Sequence, residues 1–179
     1  MNHSERGNAA DQAGASLVAR AVLNELMKAP RFHYDVECIG ADGVLKWAES
    51  FDNLVTTGGK DDLLDKYFAG SAYTAAWYLG LKGTGTAAAG DTMASHATWS
   101  EVNPYTGNRP ALSWSAASAG SKAATVVSYS ITSSATVAGA FTATSNTGTT
   151  GILYSAGDFG TSRSVVSGDT LNVTLTLSV

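Results

Sequence analysis

The stretch Leu171–Val179, "LNVTLTLSV", alternates without a break, with Leu171, Val173, Leu175, Leu177 and Val179 set against Asn172, Thr174, Thr176 and Ser178. Successive side chains of a strand point to opposite faces, so this period of two separates apolar from polar completely. Such a segment is a strand buried on one face, because a helix would need a period of 3.6. Arg31–Ile39 shows the same alternation, with Phe32, Tyr34, Val36 and Cys38 against His33, Asp35 and Glu37. Asp42-Gly43 follows, a dipeptide that favours two-residue hairpin loops. A loop at those two residues places Cys38 opposite Trp47 and Tyr34 opposite Phe51, an aromatic ladder in which Glu49, opposite Val36, is the one misfit. Trp47 and Phe51 are therefore expected in the core, where Trp47→Ala would cost about 3–5 kcal/mol. Tyr73–Lys82, Ala111–Ala117, Thr125–Thr132, Ala135–Thr144, Ile152–Ser155 and Arg163–Val166 complete about nine short candidate strands, the pattern of a β-sandwich or jelly roll.

Two segments depart from this pattern. Asp61–Phe68 reads as a short helix, with acidic residues at its start and the i,i+4 pairs Leu63/Tyr67 and Leu64/Phe68 before Gly70, and is expected to plug one end of a sheet. Ser16–Ala29, "SLVARAVLNELMKA", reads as an amphipathic helix capped by Ser16 and stopped by Pro30. Its apolar face is Leu17, Val18, Val22 and Leu26, the candidate partner-binding residues. Met1–Ser16 is polar and Gly-containing, and is expected to be a flexible or partner-ordered arm. The expected organisation is an N-terminal arm and helix over 1–30 and a mainly β domain over 31–179. One helical turn is also expected within "GDTMASHATWSEV".

With 11 basic and 15 acidic residues the chain has a net charge of −4, which offers no electrostatic footprint for nucleic acid. Only 15% of residues are charged, and the excess of Ala, Ser, Thr and Gly suits lateral packing against protein. Cys38 is the only cysteine, so neither an intrachain disulfide nor a zinc pattern is available, and a buried apolar role is expected. No secretory-signal pattern and no membrane-length apolar run stand out, so no membrane partner is expected.

The chemical motifs are incomplete. "TTGGK" ends like a phosphate loop, but Leu54 and Asp61 stand where a Gly and a Ser or Thr are required. His33, Asp35 and Glu37 share a strand face and have metal-ligand chemistry, yet alternating polar residues on a solvated face account for them. His96 lies among serines without a nucleophile elbow. Asp61/Asp62 and Glu49/Asp52 are acid pairs that a helix start and a hairpin edge explain. Asn172-Val173-Thr174 matches a glycosylation acceptor inside the strongest strand. No catalytic residue, cofactor or metal is expected.

"DGVLKWAESFDNLVTTGGKDDLLDKYFAGSAYTAAWYLGL", "AAAGDTMASHATWSEV", "RPALSW" and "TTGILYSAGDFGTSRSVVSGDTLNVTLTLSV" together resemble a family of small tailed-bacteriophage virion proteins, over about Val36–Val179. The resemblance implies a non-enzymatic capsid decoration or cement protein. Its partners would be the major capsid protein and neighbouring or identical virion subunits, and it would be assembled in the host bacterial cytoplasm and located in the virion, at the capsid surface. Similar sequences are also labelled tail or fibre proteins, which implies host-glycan binding as the alternative, with Trp99, Tyr105 and Trp114 as aromatic candidates. A polysaccharide-degrading enzyme is a third class.

Overall fold

A computed structural model of the chain describes residues 30–68, 70, 72 and 77–179. The expected helix over 16–29, with Leu17, Val18, Val22 and Leu26, lies outside them, as do residues 73–76 of the expected Tyr73 strand. The described chain is mainly β. Its elements are β1 (Arg31–Ile39), β2 (Leu45–Val55), α1 (Thr57–Phe68), β3 (Tyr78–Lys82), β4 (Glu101–Val102), β5 (Ser121–Ala123), β6 (Val127–Ser130), β7 (Ala135–Ala143), β8 (Leu153–Val165) and β9 (Thr170–Ser178). The nine strands form one antiparallel hydrogen-bonded sheet in the order β4-β3-β7-β8-β2-β1-β9-β5, with β6 also on β9.

The hairpin has the expected register and an unexpected turn. Cys38 pairs with Trp47, Tyr34 with Phe51 and Val36 with Glu49. The loop, however, is three residues long: the Gly43 N–H donates to the Gly40 carbonyl and the Gly40 N–H to the Val44 carbonyl, both at 2.8 Å. Gly43 adopts φ 79°, the left-handed conformation that such a loop needs at its last position. Ile39 then pairs with Leu45, and a bulge at Lys46 restores the register one residue on. The longer loop and the bulge offset each other, so the aromatic pairing survives.

β2 serves two ladders. Leu45–Asn53 pair with β1, whereas Leu54 and Val55 pair with Ala156 and Ser155 of β8. Beyond that point β2 and β8 separate, and side chains fill the gap. The Phe159 ring lies 6.0 Å from Trp47 and 5.2 Å from Phe51. Glu49, the misfit in the sequence, pairs with Arg163 at 2.6 Å. Trp47 and Phe51 are half-buried against the core rather than inside it, which lowers the expected cost of Trp47→Ala to about 2 kcal/mol.

The main core joins Phe32, Tyr34, Val36 and Cys38 of β1 and Leu171, Val173 and Leu175 of β9 to Leu79, Val137, Tyr154 and Phe159 of the other ladder. At the junction, Ser155 Oγ lies 2.7 Å from Thr142 Oγ1 and 3.4 Å from the Tyr34 hydroxyl, and accepts from Asn53 Nδ2 at 3.2 Å. Burial pushes the Tyr34 ionisation well above its ordinary range, so it remains a neutral phenol in this network. A second cluster, including Met93, Trp99, Phe141 and Leu153, lies where the segment 83–100 packs on β7 and β8. These strands are covered on both faces, which is why "ATVAGAFTA" reads as a nearly continuous apolar run.

Two buried cations hold the covering segments. Lys82 Nζ lies 2.7 Å from Asp158 Oδ1, an ion pair poorly angled for a hydrogen bond, and donates to the carbonyls of Gly83 and Gly85. Arg109 donates to both oxygens of Glu101, at 2.7 and 2.6 Å, and to the carbonyls of Ser145 and Gly148. The turn before β9 is held by Asp169, which accepts from Lys46 at 2.7 Å and from the Val166 N–H at 2.9 Å.

Other expectations are corrected. Ala111–Ala117 makes only bridges, Ala111 to Tyr78 and Trp114 to Ala124, because it changes neighbour midway, with Leu112 bonded to Trp77 beside β3 and Ser113 and Ser115 bonded to Thr125 and Ala123. The stretches 152–155 and 163–166 overlap the two ends of one strand, β8. The "GDTMASHATWSEV" stretch forms turns and irregular backbone ending in β4. The helix begins four residues early, since Thr56 Oγ1 accepts from the Gly59 N–H at 3.1 Å and caps it. Gly59 is required there because a Cβ would meet the Tyr154 carbonyl oxygen at 2.4 Å.

Ser155→Ala would leave buried hydroxyls of Tyr34 and Thr142 short of a partner and should destabilise the fold by about 1–3 kcal/mol in chemical denaturation. Asp169 supplies a pH test. Burial raises its pKa, but the Lys46 hydrogen bond and the Val166 N–H more than offset this and hold it below the usual carboxylate value. A depressed folded pKa contributes stability above the unfolded value of about 3.9, lost as pH falls through the folded value. Asp169→Asn should therefore lower stability at pH 7 and make unfolding below about pH 4 less steep.

Candidate functional site

The expected plug helix is exposed. Of α1, only Gly59 is buried, while Tyr67 and Phe68 are 78% and 77% exposed and Leu64 is 53% exposed. The i,i+4 pairs were legible in the sequence, but they stabilise the helix without burying it. Tyr67 and Phe68 touch each other edge to face at 4.9 Å. Exposed side chains of this size on one short helix approach the area of the largest apolar patches on ordinary monomers, about 300–600 Å².

Beside this helix is a recess of about 290 Å³. Phe32 and Tyr154, both nearly inaccessible, form its floor together with Trp77, whose ring meets Tyr154 at 4.6 Å. Leu63, Lys66 and Tyr67 of α1 form one wall, and Trp114, Lys122 and Leu177 the other. Lys122 and Leu177 are cross-strand partners on β5 and β9, which places both side chains on the recess face. Lys122 Nζ sits 5.6 Å from the centre of the Trp114 ring, and Lys66 pairs with Asp62 at 2.6 Å. Aromatic rings dominate the lining, and Asp62, Lys66 and Lys122 are its charged members.

The other candidates are dispersed or committed. His33 Nδ1 lies 2.9 Å from Asp52 Oδ1 and Ser50 Oγ lies 3.0 Å from Nε2, the order of atoms in a nucleophile relay. This chain lies on an exposed strand face outside the recess, and Asp52 is also held by Arg31. His33, then Arg31, keep the Asp52 carboxyl below its ordinary pKa. Asp35 approaches His33 at 3.5 Å, and among the described residues no group of three His, Cys, Asp or Glu could hold a metal ion. Glu49 and Asp52 face different cations, Arg163 and Arg31, so they do not form a carboxylate pair. Asp61 and Asp62 lie beyond the first turn of α1, and the phosphate-loop-like glycines are inside that turn.

Trp99, Tyr105 and Trp114 do not share a site. Trp99 is buried, stacks on His96 at 4.1 Å and donates to Asp91. Tyr105 borders a separate recess of about 260 Å³ with Thr106, Asn108, Ser128, Ser130 and Thr132, and Trp114 belongs to the recess beside α1. Asn172 accepts from Ser128 within the β6–β9 ladder. Cys38 is buried, and burial followed by the nearby Asp169 pushes its thiol up to about 11. Among the described residues no helix is long and apolar enough to cross a membrane. No protein-family model matches the chain, and no curated protein matches it.

Because Tyr67 and Phe68 are exposed, Tyr67→Ser with Phe68→Ser should change unfolding free energy by less than about 1 kcal/mol while reducing binding to a phenyl matrix.

Proposed function

We propose that the chain is a non-enzymatic structural protein of a bacteriophage virion, a decoration or cement protein that binds the major capsid protein lattice and stabilises the head. The observation that carries the docking part of this reading is the exposed apolar face of α1 beside an aromatic recess. The phage assignment comes from the sequence resemblance. A non-obligate interface needs such an apolar centre within a polar rim, and the Ser- and Thr-rich sheet surface supplies the rim. The finer fold reading is a β-sandwich, in which β2 passes between two ladders that close on one core. Self-association with neighbouring copies fits the same surface.

A second reading, a tail or fibre component binding a host-surface glycan, is favoured by the recess at Tyr105, where a ring, an amide and several hydroxyls meet without a charged residue. Binding to a glycan array that is lost in Tyr105→Ala would support it over the first.

Purified protein added to particles that lack it should produce new density on the capsid surface in electron cryomicroscopy. Tyr67→Asp should reduce occupancy at least tenfold while leaving the circular dichroism spectrum unchanged. If Tyr67→Asp binds normally and Val22→Asp with Leu26→Asp does not, the anchor is the 16–29 segment instead. Density confined to the tail would overturn the head assignment.

A further inference from the structure

We propose that the recess beside α1 seats an apolar peptide segment of the partner protein that carries a carboxylate, and that Lys122 reads that carboxylate. The inference rests on the docking role proposed above and adds the chemistry of the occupant.

Lys66 is neutralised by Asp62 within the recess wall, whereas Lys122 has no carboxylate partner among the described residues and lies over the Trp114 ring. The lining therefore carries one positive charge in excess, in a chain whose net charge is −4. A neutral apolar occupant would remove water from the Lys122 ammonium without replacing its hydrogen bonds, which is costly. A cationic occupant would be repelled. A carboxylate beside an aromatic or aliphatic anchor satisfies both features, since the anchor covers the Phe32–Tyr154 floor and the carboxylate takes a charge-assisted hydrogen bond from Lys122. The location of Lys122 supports this role. Its backbone is fixed opposite Leu177 in the β5–β9 ladder, and its ammonium lies 5.6 Å from the centre of the Trp114 ring, at the apolar surface.

The recess chemistry can be tested on the full chain with two fluorescent probes that share one ring system. 8-Anilinonaphthalene-1-sulfonate carries an anion, and N-phenyl-1-naphthylamine does not. Lys122→Ala should weaken the anionic probe about 5–10-fold, as loss of a partly exposed charge-assisted hydrogen bond does, and change the neutral probe by less than about twofold. Lys122→Arg should retain the anionic preference, and added salt should weaken that probe on the wild type more than on Lys122→Ala. Equal losses of both probes would make Lys122 a shaping residue only and overturn the inference, as would an anionic affinity unchanged by Lys122→Ala or a wild type that binds neither probe. Sedimentation velocity covers the other occupant: a dimer that dissociates on Lys122→Glu would place a second copy in the recess and overturn the partner assignment. Particles that bind wild type and Lys122→Glu equally would overturn the inference while leaving the docking role intact. A wild type that ignores particles but shows the probe signature would sink the virion reading and leave the anion preference standing.

Discussion

The Ser155 hydroxyl sits where β2 leaves one ladder and enters the other, and the architecture turns on that point. Its contacts with Tyr34, Thr142 and Asn53 draw together β1, β2, β7 and β8. A buried hydroxyl contributes little net energy when satisfied but is expensive when left alone, so such a node specifies geometry more than it adds stability. The requirement reaches the sequence around it. A side chain at Gly157 would displace the Asn53 amide, whose Oδ1 is only 1.7 Å from where a Cβ would lie, and with it the Asn53 bond to Ser155. Away from the node the strands separate, and the large rings of Trp47, Phe51 and Phe159 occupy the widening gap.

This division of labour frees the ends of the sheet. The second cluster is roofed by the segment 83–100, which Lys82 fixes through its carbonyl contacts, and Arg109 binds Glu101 to the 145–148 turn. Both cations are almost completely buried and surrounded by acceptors, so they hold irregular backbone in place where no strand partner exists. With that end closed, the most exposed large apolar side chains among the described residues, Tyr67 and Phe68, lie on α1 next to the recess.

Much of the sheet was legible because its information is local. The alternation of Leu171–Val179 and of Arg31–Ile39 fixes which side chains face inward: Phe32, Tyr34, Val36, Cys38, Leu171, Val173 and Leu175 are core, whereas Leu177 is partly buried and Val179, at the strand's end, is exposed. The hairpin register was right although the turn was wrong, since a longer loop and a bulge displace the pairing by equal and opposite steps. The start of α1 was misread because Gly58 and Gly59 look like a loop, and the reason for Gly59 is its contact with Tyr154, far away in sequence. The burial of α1 was misjudged for a related reason: i,i+4 apolar pairs mark a helix but do not say what covers it. Of the recess, the sequence held the aromatic residues but no sign that Trp114, Lys122 and Tyr67 converge, because that depends on how β5 pairs with β9.

The margins of the sheet carry a further consequence. β4 has two residues and β5 three, and the outer edge of β5 is covered where Ser115 and Ser118 hydrogen-bond to it. Neither margin offers a long row of free amides and carbonyls for another chain to extend. These two margins are thus poor templates for strand-by-strand growth, and a contact made there has to go through side chains, where a single substitution can disconnect neighbours without unravelling the fold.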